Sequence, residues 1–391
     1  MKQAELLMIP GPTPLPEAVR EVLSRPALGH RSAGFKEVLR RVFPNLSWAF
    51  QSKNPVFLYT ASGTGAMEAA VSNVCNPGDR VLVLVNGVFS GRWAEIATSH
   101  GVQVETLIVP PGEAHTSASL EEVLVANREK PFHAVFLNHS ETSTGVLSPV
   151  RELAATIRRI SPDTLVVVDA ITSLGATEFD FDGWDLDIAV SGSQKGFMIP
   201  PGLSFLAYSD RAMEAHKRCK NPGYYFNFTR YLKSQQDETT PYTPGTHLIL
   251  ALDVALRLMM EEGLPQIAER HRLLQWMTRA GLRALGLSLF VPDDAIASPS
   301  VTSFLPPAGV TVDAVRSALR KRFGIVIADG QKDLKGKLMR IGHLGHVSER
   351  DVLVTLAALE SVLLELGVSI QPGAAVAAAE QAKEERVASH V

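Results

Sequence analysis

Short apolar runs, separated by stretches of helical periodicity, follow one another through the first half of the chain. Seven such runs lie at residues 55–60, 80–85, 102–109, 134–139, 165–169, 187–190 and 205–208. Apolar runs of roughly four to eight residues are typical of buried strands, and their alternation with helices is typical of a sheet wound by crossover connections. The pattern therefore predicts an α/β fold with a mostly parallel, seven-stranded sheet.

A second, smaller α/β unit is predicted for the C-terminal part of the chain. A helix at 251–262 leads into it, and helices near 264–285, 312–323 and 348–366 alternate with strands near 301–305, 324–328 and 337–342. Ser348 followed by Asp351 is a signal for a helix start. We interpret the apolar stripe that follows at helical spacing as core; it consists of Leu353, Leu356, Leu359 and Leu363.

Both ends of the chain are expected to lie outside these two units. Residues 8–16 contain four prolines, which remove backbone donors and fix φ, so this segment is predicted to be an extended arm. Residues from about 373 onward are rich in Ala and Glu without an evident packing face, which is typical of a flexible tail. We therefore divide the chain into an arm at 1–16, a large domain at 17–250, a small domain at 251–370 and a tail at 371–391.

Composition narrows the class of protein. The 391 residues carry a net charge of -3, which gives no reason to expect nucleic acid or an anionic membrane as a partner. The two cysteines, Cys75 and Cys219, form no disulfide framework and no Cys-rich metal site, so no metal is expected. No signal peptide, membrane span or peroxisomal Ser-Lys-Leu ending is seen, the last residues being Ser-His-Val at 389–391. A cytoplasmic location is the expectation.

Two charged residues follow neighbouring strands of the predicted sheet. Asp169 ends the run at 165–169, and Lys195 comes shortly after the run at 187–190. Ligands of parallel α/β sheets bind outside the carboxyl ends of the strands. Pyridoxal phosphate requires a lysine for its Schiff base and an Asp against its ring nitrogen. The alternative is an ordinary sheet whose strands end near charged residues.

A glycine-rich turn, Ser-Gly-Thr-Gly-Ala-Met at 62–67, lies between the first of these strands and a helix. Free N–H groups and a favourable dipole at a helix N-terminus suit an anion. The cofactor phosphate is expected there, on the hydroxyl of Thr64 and the amides of Gly65 and Ala66. A plain strand-to-helix turn is the alternative for this motif.

Three motifs together resemble the class V aminotransferases, in particular the branch of alanine–glyoxylate and serine–glyoxylate aminotransferases. They are Ser-Gly-Thr-Gly at 62–65, His-Ser-Glu-Thr-Ser-Thr-Gly at 139–145 and Ser-Gly-Ser-Gln-Lys at 191–195, and the resemblance extends over about residues 7–367. It implies a fold type I transferase that depends on pyridoxal phosphate. It also implies a homodimer with shared active sites. Family members often carry His where Ala66 stands, so that side-chain contact is expected to be absent.

The resemblance also implies roles around the cofactor. Phe89 would stack on one face of the ring and Ile171 would cover the other, while Thr142 would bond the ring oxygen. Gln194 would bind the phosphate beside Lys195. Tyr242 and Thr243 would reach the phosphate of the neighbouring subunit. Each of these has a structural alternative. Phe89 could be an aromatic core residue, Thr142 a hydroxyl that caps a loop, and the segment at 242–243 a plain helix start.

Four further residues are implied to bind the substrate. Arg340, on a short apolar strand, would bind the α-carboxylate through its planar fork, with a structural salt bridge as the alternative. Gly11 in the arm, together with His30 and Arg31 from the partner subunit, would line the pocket for the substrate side chain. The alternative for His30 and Arg31 is that they are only solvated polar residues of a loop.

The predicted function is transfer of an amino group from alanine or serine to glyoxylate, with Lys195 as the catalytic residue. The first alternative is another class V enzyme, an aminoethylphosphonate transaminase or a lyase. A desulfurase needs a nucleophilic Cys in the small domain, and none follows Cys219. The remaining alternative is a subunit of a soluble hydrogenase, but two unpaired cysteines cannot supply the thiolates of a nickel–iron site.

Overall fold

The computed structural model describes residues 5–388 and contains thirteen strands and thirteen α-helices in that range. The strands are β1 Leu6–Met8, β2 Phe57–Tyr59, β3 Arg80–Val85, β4 Gln103–Ile108, β5 Ala134–Asn138, β6 Ser140–Glu141, β7 Val146–Leu147, β8 Leu165–Asp169, β9 Ile188–Gly192, β10 Ser204–Tyr208, β11 Val301–Phe304, β12 Ile325–Asp329 and β13 Met339–Gly342. The helices are α1 Glu17–Leu23, α2 Ala33–Phe50, α3 Gly63–Val74, α4 Val88–Ser99, α5 Ser117–Ala126, α6 Val150–Ile160, α7 Asp210–Arg218, α8 Phe228–Gln236, α9 Thr246–Glu262, α10 Leu264–Ala284, α11 Val312–Phe323, α12 Glu349–Glu365 and α13 Ala374–Ala388.

The large sheet has seven strands in the order β2-β10-β9-β8-β5-β3-β4. Only β10 runs antiparallel to its neighbours, so the prediction of a mostly parallel seven-stranded sheet in an α/β fold is confirmed. The carboxyl ends of β5, β8 and β9 consequently meet at one edge. Asn138, Asp169 and Val190 are paired in register there.

The sheet is covered on both faces, which explains its continuous apolar runs. Val166 and Val168 of β8 pack into one buried cluster, and Val167 between them packs into another on the opposite face. Side chains alternate across a strand, so a run without polar positions is stable only where helices cover both faces.

The small sheet has the order β1-β12-β13-β11. Its first strand comes from the N-terminal arm, because Leu6–Met8 pairs in parallel with β12. The rest of the arm then passes over the large unit without helix, as the prolines predict. The arm is thus bound to both units, a role that its sequence alone does not indicate.

The expectation of a flexible tail is wrong for residues 374–388, which form helix α13. Ala375 and Ala379 are fully buried against α10 and α12. A Cβ built on Gly281 of α10 would lie 3.1 Å from the Ala375 carbonyl, so the two helices approach closely through small residues. An alanine face carries little hydrophobic signal, which is why the sequence pattern does not reveal it. The last three residues, considered above as an address signal, lie outside the described residues.

Across residues 5–388, the structure has no helix of the length and apolarity that crossing a membrane requires.

Candidate active site

Lys195 lies in the turn that follows β9, at the edge where the parallel strands end. The turn is held by Ser193, whose hydroxyl donates to the Pro200 carbonyl at 2.8 Å and accepts from the Leu203 amide at 3.2 Å. Desolvation, together with the nearby charge of Arg340, lowers the pKa of Lys195 to about 8, against the opposing effect of Asp169. Near neutral pH a useful fraction of the amine is therefore unprotonated and nucleophilic.

The N-terminal arm lies directly against this lysine. The Lys195 amine donates to the Pro10 carbonyl. Gly11 has φ +132°, and a Cβ built on it would lie 2.7 Å from Lys195 Nζ. The Thr13 amide donates to the Gln194 carbonyl at 3.2 Å, and its hydroxyl donates to the Lys195 carbonyl at 3.2 Å. Only glycine allows the arm to approach the amine this closely.

Asp169 ends β8 and is 5% exposed. Its Oδ1 accepts from the Ile171 amide at 2.8 Å, and the described residues supply no cationic partner. Burial raises the pKa of Asp169 to about 7, with a contribution from Glu141, while Arg92 and Lys195 oppose the rise. A buried carboxylate without a cation is costly, and the protonated nitrogen of a pyridine ring is a partner that would offset this cost.

The predicted phosphate end lies at the N-terminus of α3. No side chain caps this terminus at Ser62, and the carboxamide oxygen of Gln194 is buried without a hydrogen-bond partner. The Gly65 amide already donates to the Ser62 carbonyl at 2.8 Å, so a phosphate would have to share this amide. The Thr64 hydroxyl lies in the first turn of the helix and accepts from Arg92 Nη1 at 3.0 Å. Ala66 is fully buried. These groups fit a phosphate.

Ile171 and Gln194 meet beside the same helix terminus. A Cβ built on Gly63 would lie 2.6 Å from Ile171 Cδ1, and one built on Gly192 would lie 3.1 Å from Gln194 Oε1. Two glycines on different elements are therefore required for these side chains to enter the site.

Phe89 is half-buried in the first turn of α4. Its amide and that of Ser90 donate to the Glu141 carboxylate at 3.2 and 2.8 Å, and the hydroxyl of Ser143 donates to the same carboxylate at 2.6 Å. Glu141 is 0% exposed and thus fixes the start of α4 to the loop that carries Thr142. Sequence reasoning missed Glu141 as a site residue, although its motif was recognised.

Thr142 and Arg340 meet where β13 of the small sheet touches the loop between β6 and β7. Nη1 of Arg340 donates to the Thr142 carbonyl at 2.9 Å, and its Nε and Nη2 donate to the Asp329 carbonyl at 2.9 and 2.6 Å. Burial lowers the pKa of Arg340 to about 10. Within residues 5–388 no carboxylate forms an ion pair with it, so the salt-bridge alternative has no support. The Thr142 hydroxyl forms a hydrogen bond of 2.7 Å with the Thr172 hydroxyl.

Four predicted site residues are not brought to Lys195 within one chain: His30, Arg31, Tyr242 and Thr243. Arg31 is exposed and donates to the Thr239 hydroxyl at 3.0 Å. Tyr242 stacks on Tyr225 with ring centroids 4.8 Å apart, and Thr243 is exposed. Their expected contacts involve a second subunit, so their roles stay predictions.

Comparison with known proteins identifies the family. The model of the family described as aminotransferase class-V matches residues 29–348. The small subunit of a soluble hydrogenase from Synechococcus sp. is 44% identical over 97% of this chain and 98% of its own length. The L-aspartate–glyoxylate aminotransferase of Paracoccus denitrificans is 34% identical, over 96% and 95% respectively. The serine–glyoxylate aminotransferase of Hyphomicrobium methylovorum is also 34% identical, over 95% and 93%.

Among solved structures, the ureidoglycine–glyoxylate aminotransferase of Bacillus subtilis superposes with a TM-score of 0.92. It is 31% identical, and the match covers 98% of this chain and 99% of that chain. The likeness therefore extends from the arm to the C-terminal helices. The expected fold type I transferase architecture and its dependence on pyridoxal phosphate are confirmed.

Proposed function

The chain belongs to the class V aminotransferases, and on that premise we propose that it transfers an amino group from alanine or serine to glyoxylate. The products would be glycine and either pyruvate or hydroxypyruvate. The observation that carries the proposal is the close approach of the arm at Gly11 to the amine of Lys195, from which we expect the site to favour a very small substrate side chain.

Lys195 is the proposed catalytic residue. When bound, pyridoxal phosphate supplies an aldehyde for the lysine and an electron sink for the substrate carbon. With the donor amine bound in its place, the free Nζ of Lys195 would act as general base and take the proton from the substrate Cα, and it would then act as general acid and deliver that proton to the cofactor carbon. The pKa of about 8 suits both tasks, because Nζ readily releases and accepts a proton near neutral pH.

Asp169 and Arg340 are proposed to orient the reacting groups. Asp169 holds a positive charge on the ring nitrogen, which its buried and otherwise unpaired carboxylate favours. Arg340 binds the substrate α-carboxylate. Its guanidinium is fixed by two backbone carbonyls and retains N–H groups for a carboxylate.

Glyoxylate is the acceptor that these distances favour. A substrate bound between Lys195 and Arg340 turns its side chain toward the arm, where a single Cβ on Gly11 would already come within 2.7 Å of Nζ. We expect hydrogen or a hydroxymethyl group to be accommodated there and a longer side chain to collide with the arm. Three of the four relatives reported above are named as glyoxylate aminotransferases, with different donors.

A shared active site is part of the proposal. Tyr242, which is followed by Thr243, packs against exposed aromatic residues, among them Tyr224 at 65% exposure. We expect this segment to contact the phosphate site of a second copy of the chain. Mixing the inactive variants Lys195→Ala and Thr243→Val would then restore activity, because one of the two sites in a mixed dimer contains only native side chains. No recovery after subunit exchange would contradict shared sites.

The hydrogenase name of one relative does not change the proposal for this chain. The two cysteines of this chain lie near each other, with the Cys219 thiol donating to the Cys75 carbonyl at 3.5 Å. Burial raises the pKa of the Cys75 thiol, which disfavours the thiolate that a metal requires. Two thiols in this setting do not form a nickel–iron site.

The proposal is tested by steady-state assays of purified protein loaded with pyridoxal phosphate. Alanine, serine and aspartate are each offered as donor with glyoxylate, pyruvate and 2-oxoglutarate as acceptors. We expect the highest kcat/KM with glyoxylate and turnover of both alanine and serine. A clear preference for 2-oxoglutarate would overturn the assignment, and transfer from aspartate alone would overturn the donor half of it.

A further inference from the structure

Arg92 links two residues that were assigned separately to the cofactor. It lies on α4, one turn after Phe89, and its guanidinium carbon is 5.0 Å from the centre of the Phe89 ring. Its Nη1 donates to the Thr64 hydroxyl at 3.0 Å, across the gap between α4 and α3. One side chain therefore contacts both the aromatic at the ring and the hydroxyl at the phosphate end.

Arg92 forms no ion pair within the described part of the chain. The side chain is half-buried, and no carboxylate of residues 5–388 lies within salt-bridge distance of it. The guanidinium instead points to the N-terminus of α3, where the helix dipole already favours a negative charge. An unneutralised cation at such a terminus is suited to an anion.

We propose that Arg92 is a positioning residue for pyridoxal phosphate, acting on the phosphate through Thr64 and on the ring through Phe89. The inference rests on the cofactor dependence of the family and not on the proposed substrates. It adds a residue that the motifs of the sequence did not indicate.

The hydrogen bond to Thr64 gives the proposal its physical mechanism. A hydroxyl has one donor hydrogen and can accept through its lone pairs. Because Thr64 Oγ1 accepts from Arg92, its own hydrogen is left to donate to a phosphate oxygen. The adjacent charge also polarises the hydroxyl and strengthens that donation.

The contact with Phe89 explains why an arginine suits this position. A guanidinium is planar, so it can lie over an aromatic ring and donate through its edge at the same time. A lysine ammonium cannot make both contacts from one position. Arg92 thereby fixes the distance between the aromatic ring and the phosphate end. The same charge lowers the pKa of Asp169 against the effect of burial and so favours the ionised carboxylate.

The test is the affinity of the apoenzyme for the cofactor, measured without substrate. Dissociation constants of pyridoxal phosphate and of pyridoxal, which lacks the phosphate, are determined by titration of intrinsic fluorescence. We expect Arg92→Gln to weaken binding of pyridoxal phosphate by about tenfold or more, the loss of one charge-assisted hydrogen bond. Pyridoxal binding should change much less. An unchanged constant for pyridoxal phosphate, or equal losses for both compounds, overturns the proposal.

A double-mutant cycle separates positioning from a direct charge effect. If Arg92 acts through Thr64, Arg92→Gln has little further effect on phosphate-dependent binding in a Thr64→Val background. A full tenfold loss in that background would overturn the positioning role. Arg92→Lys keeps the charge but not the paired contacts, so we expect it not to restore native affinity. Full restoration by lysine would also overturn the role.

Glu95→Gln provides a matched control. Glu95 lies one turn further along α4, is exposed, and pairs with Lys332 at 3.0 Å. Its substitution removes a charge from the same helix without touching Thr64 or Phe89. Both dissociation constants should remain native in this variant. The substrate assays of the proposed function are independent of this experiment, so either result can fail without the other.

Discussion

We predict that the buried carboxylate of Asp169 destabilises the folded apoenzyme. Burial raises its pKa from 3.8 to about 7, and each unit of pKa difference corresponds to about 1.4 kcal/mol. The ionised carboxylate therefore costs the apo fold on the order of 4 kcal/mol. Asp169→Asn removes the charge and keeps the oxygen that accepts from the Ile171 amide. We expect the variant apoenzyme to be more stable than the native one at pH 8.

The sign of the pH dependence follows from the raised pKa. Between about pH 4 and pH 7 the folded native protein binds more protons than the unfolded chain, so its stability falls as the pH rises. Above pH 7 the cost of the charge is complete. The difference in unfolding free energy between Asp169→Asn and the native apoenzyme should therefore increase steadily from pH 5 to pH 7 and reach its maximum above pH 7.

Asp187, which directly precedes the neighbouring strand β9, offers a matched control. It is 0% exposed, against 5% for Asp169, but it accepts from the Ser209 hydroxyl at 2.7 Å and pairs with Arg158 and with Arg211, the latter at 2.7 Å. Asp187→Asn removes the buried carboxylate from both arginines, which then retain only the exposed Asp185, and should destabilise the protein by roughly 2 kcal/mol or more. Two buried aspartates at one sheet are thus expected to respond in opposite directions.

The assay is urea unfolding of the apoenzymes from pH 5 to pH 8.5, at one protein concentration and without phosphate. Matched concentrations are needed because any self-association contributes to the apparent stability. If Asp169→Asn proves no more stable than the native apoenzyme at pH 8, while Asp187→Asn is destabilised, the account of Asp169 is refuted. With cofactor bound the order should reverse, since Asp169 then has its cationic partner.

Three further predictions concern the site. Lys195→Ala should abolish both the visible Schiff-base absorbance and the covalent fixation of the cofactor by borohydride reduction, and cofactor fixed by borohydride to this variant would show that another lysine holds it. Arg340→Lys keeps the charge but loses the planar fork, so the apparent KM for both donor and keto acid should rise, and unchanged values would make Arg340 structural. Glu141→Gln should lower stability by about 1–3 kcal/mol, because the Glu141 oxygens face N–H donors of Phe89, Ser90 and Ser143 and an amide would set N–H against N–H; an unchanged urea midpoint would contradict this.

The strands and helices followed closely from the sequence because each depends on local periodicity. The apolar run at 165–169 predicted β8 to its last residue, and the helix at 312–323 was predicted with the bounds of α11. Helix α13 was missed because its buried face consists of Ala375 and Ala379, and alanine gives little contrast with a polar surface. What buries that face is the proximity of α10, which no local pattern indicates.

The sequence by itself determined that Asp169 and Lys195 share one edge of the sheet, because parallel strands end at the same side and each residue follows such a strand. Only the tertiary structure decided that Glu141 holds the start of α4 and that Arg92 joins α4 to Thr64. Those contacts depend on the distance between elements far apart in the chain. Side-chain hydrogen bonds form within about 3 Å, and such distances are fixed by packing and not by the order of residues.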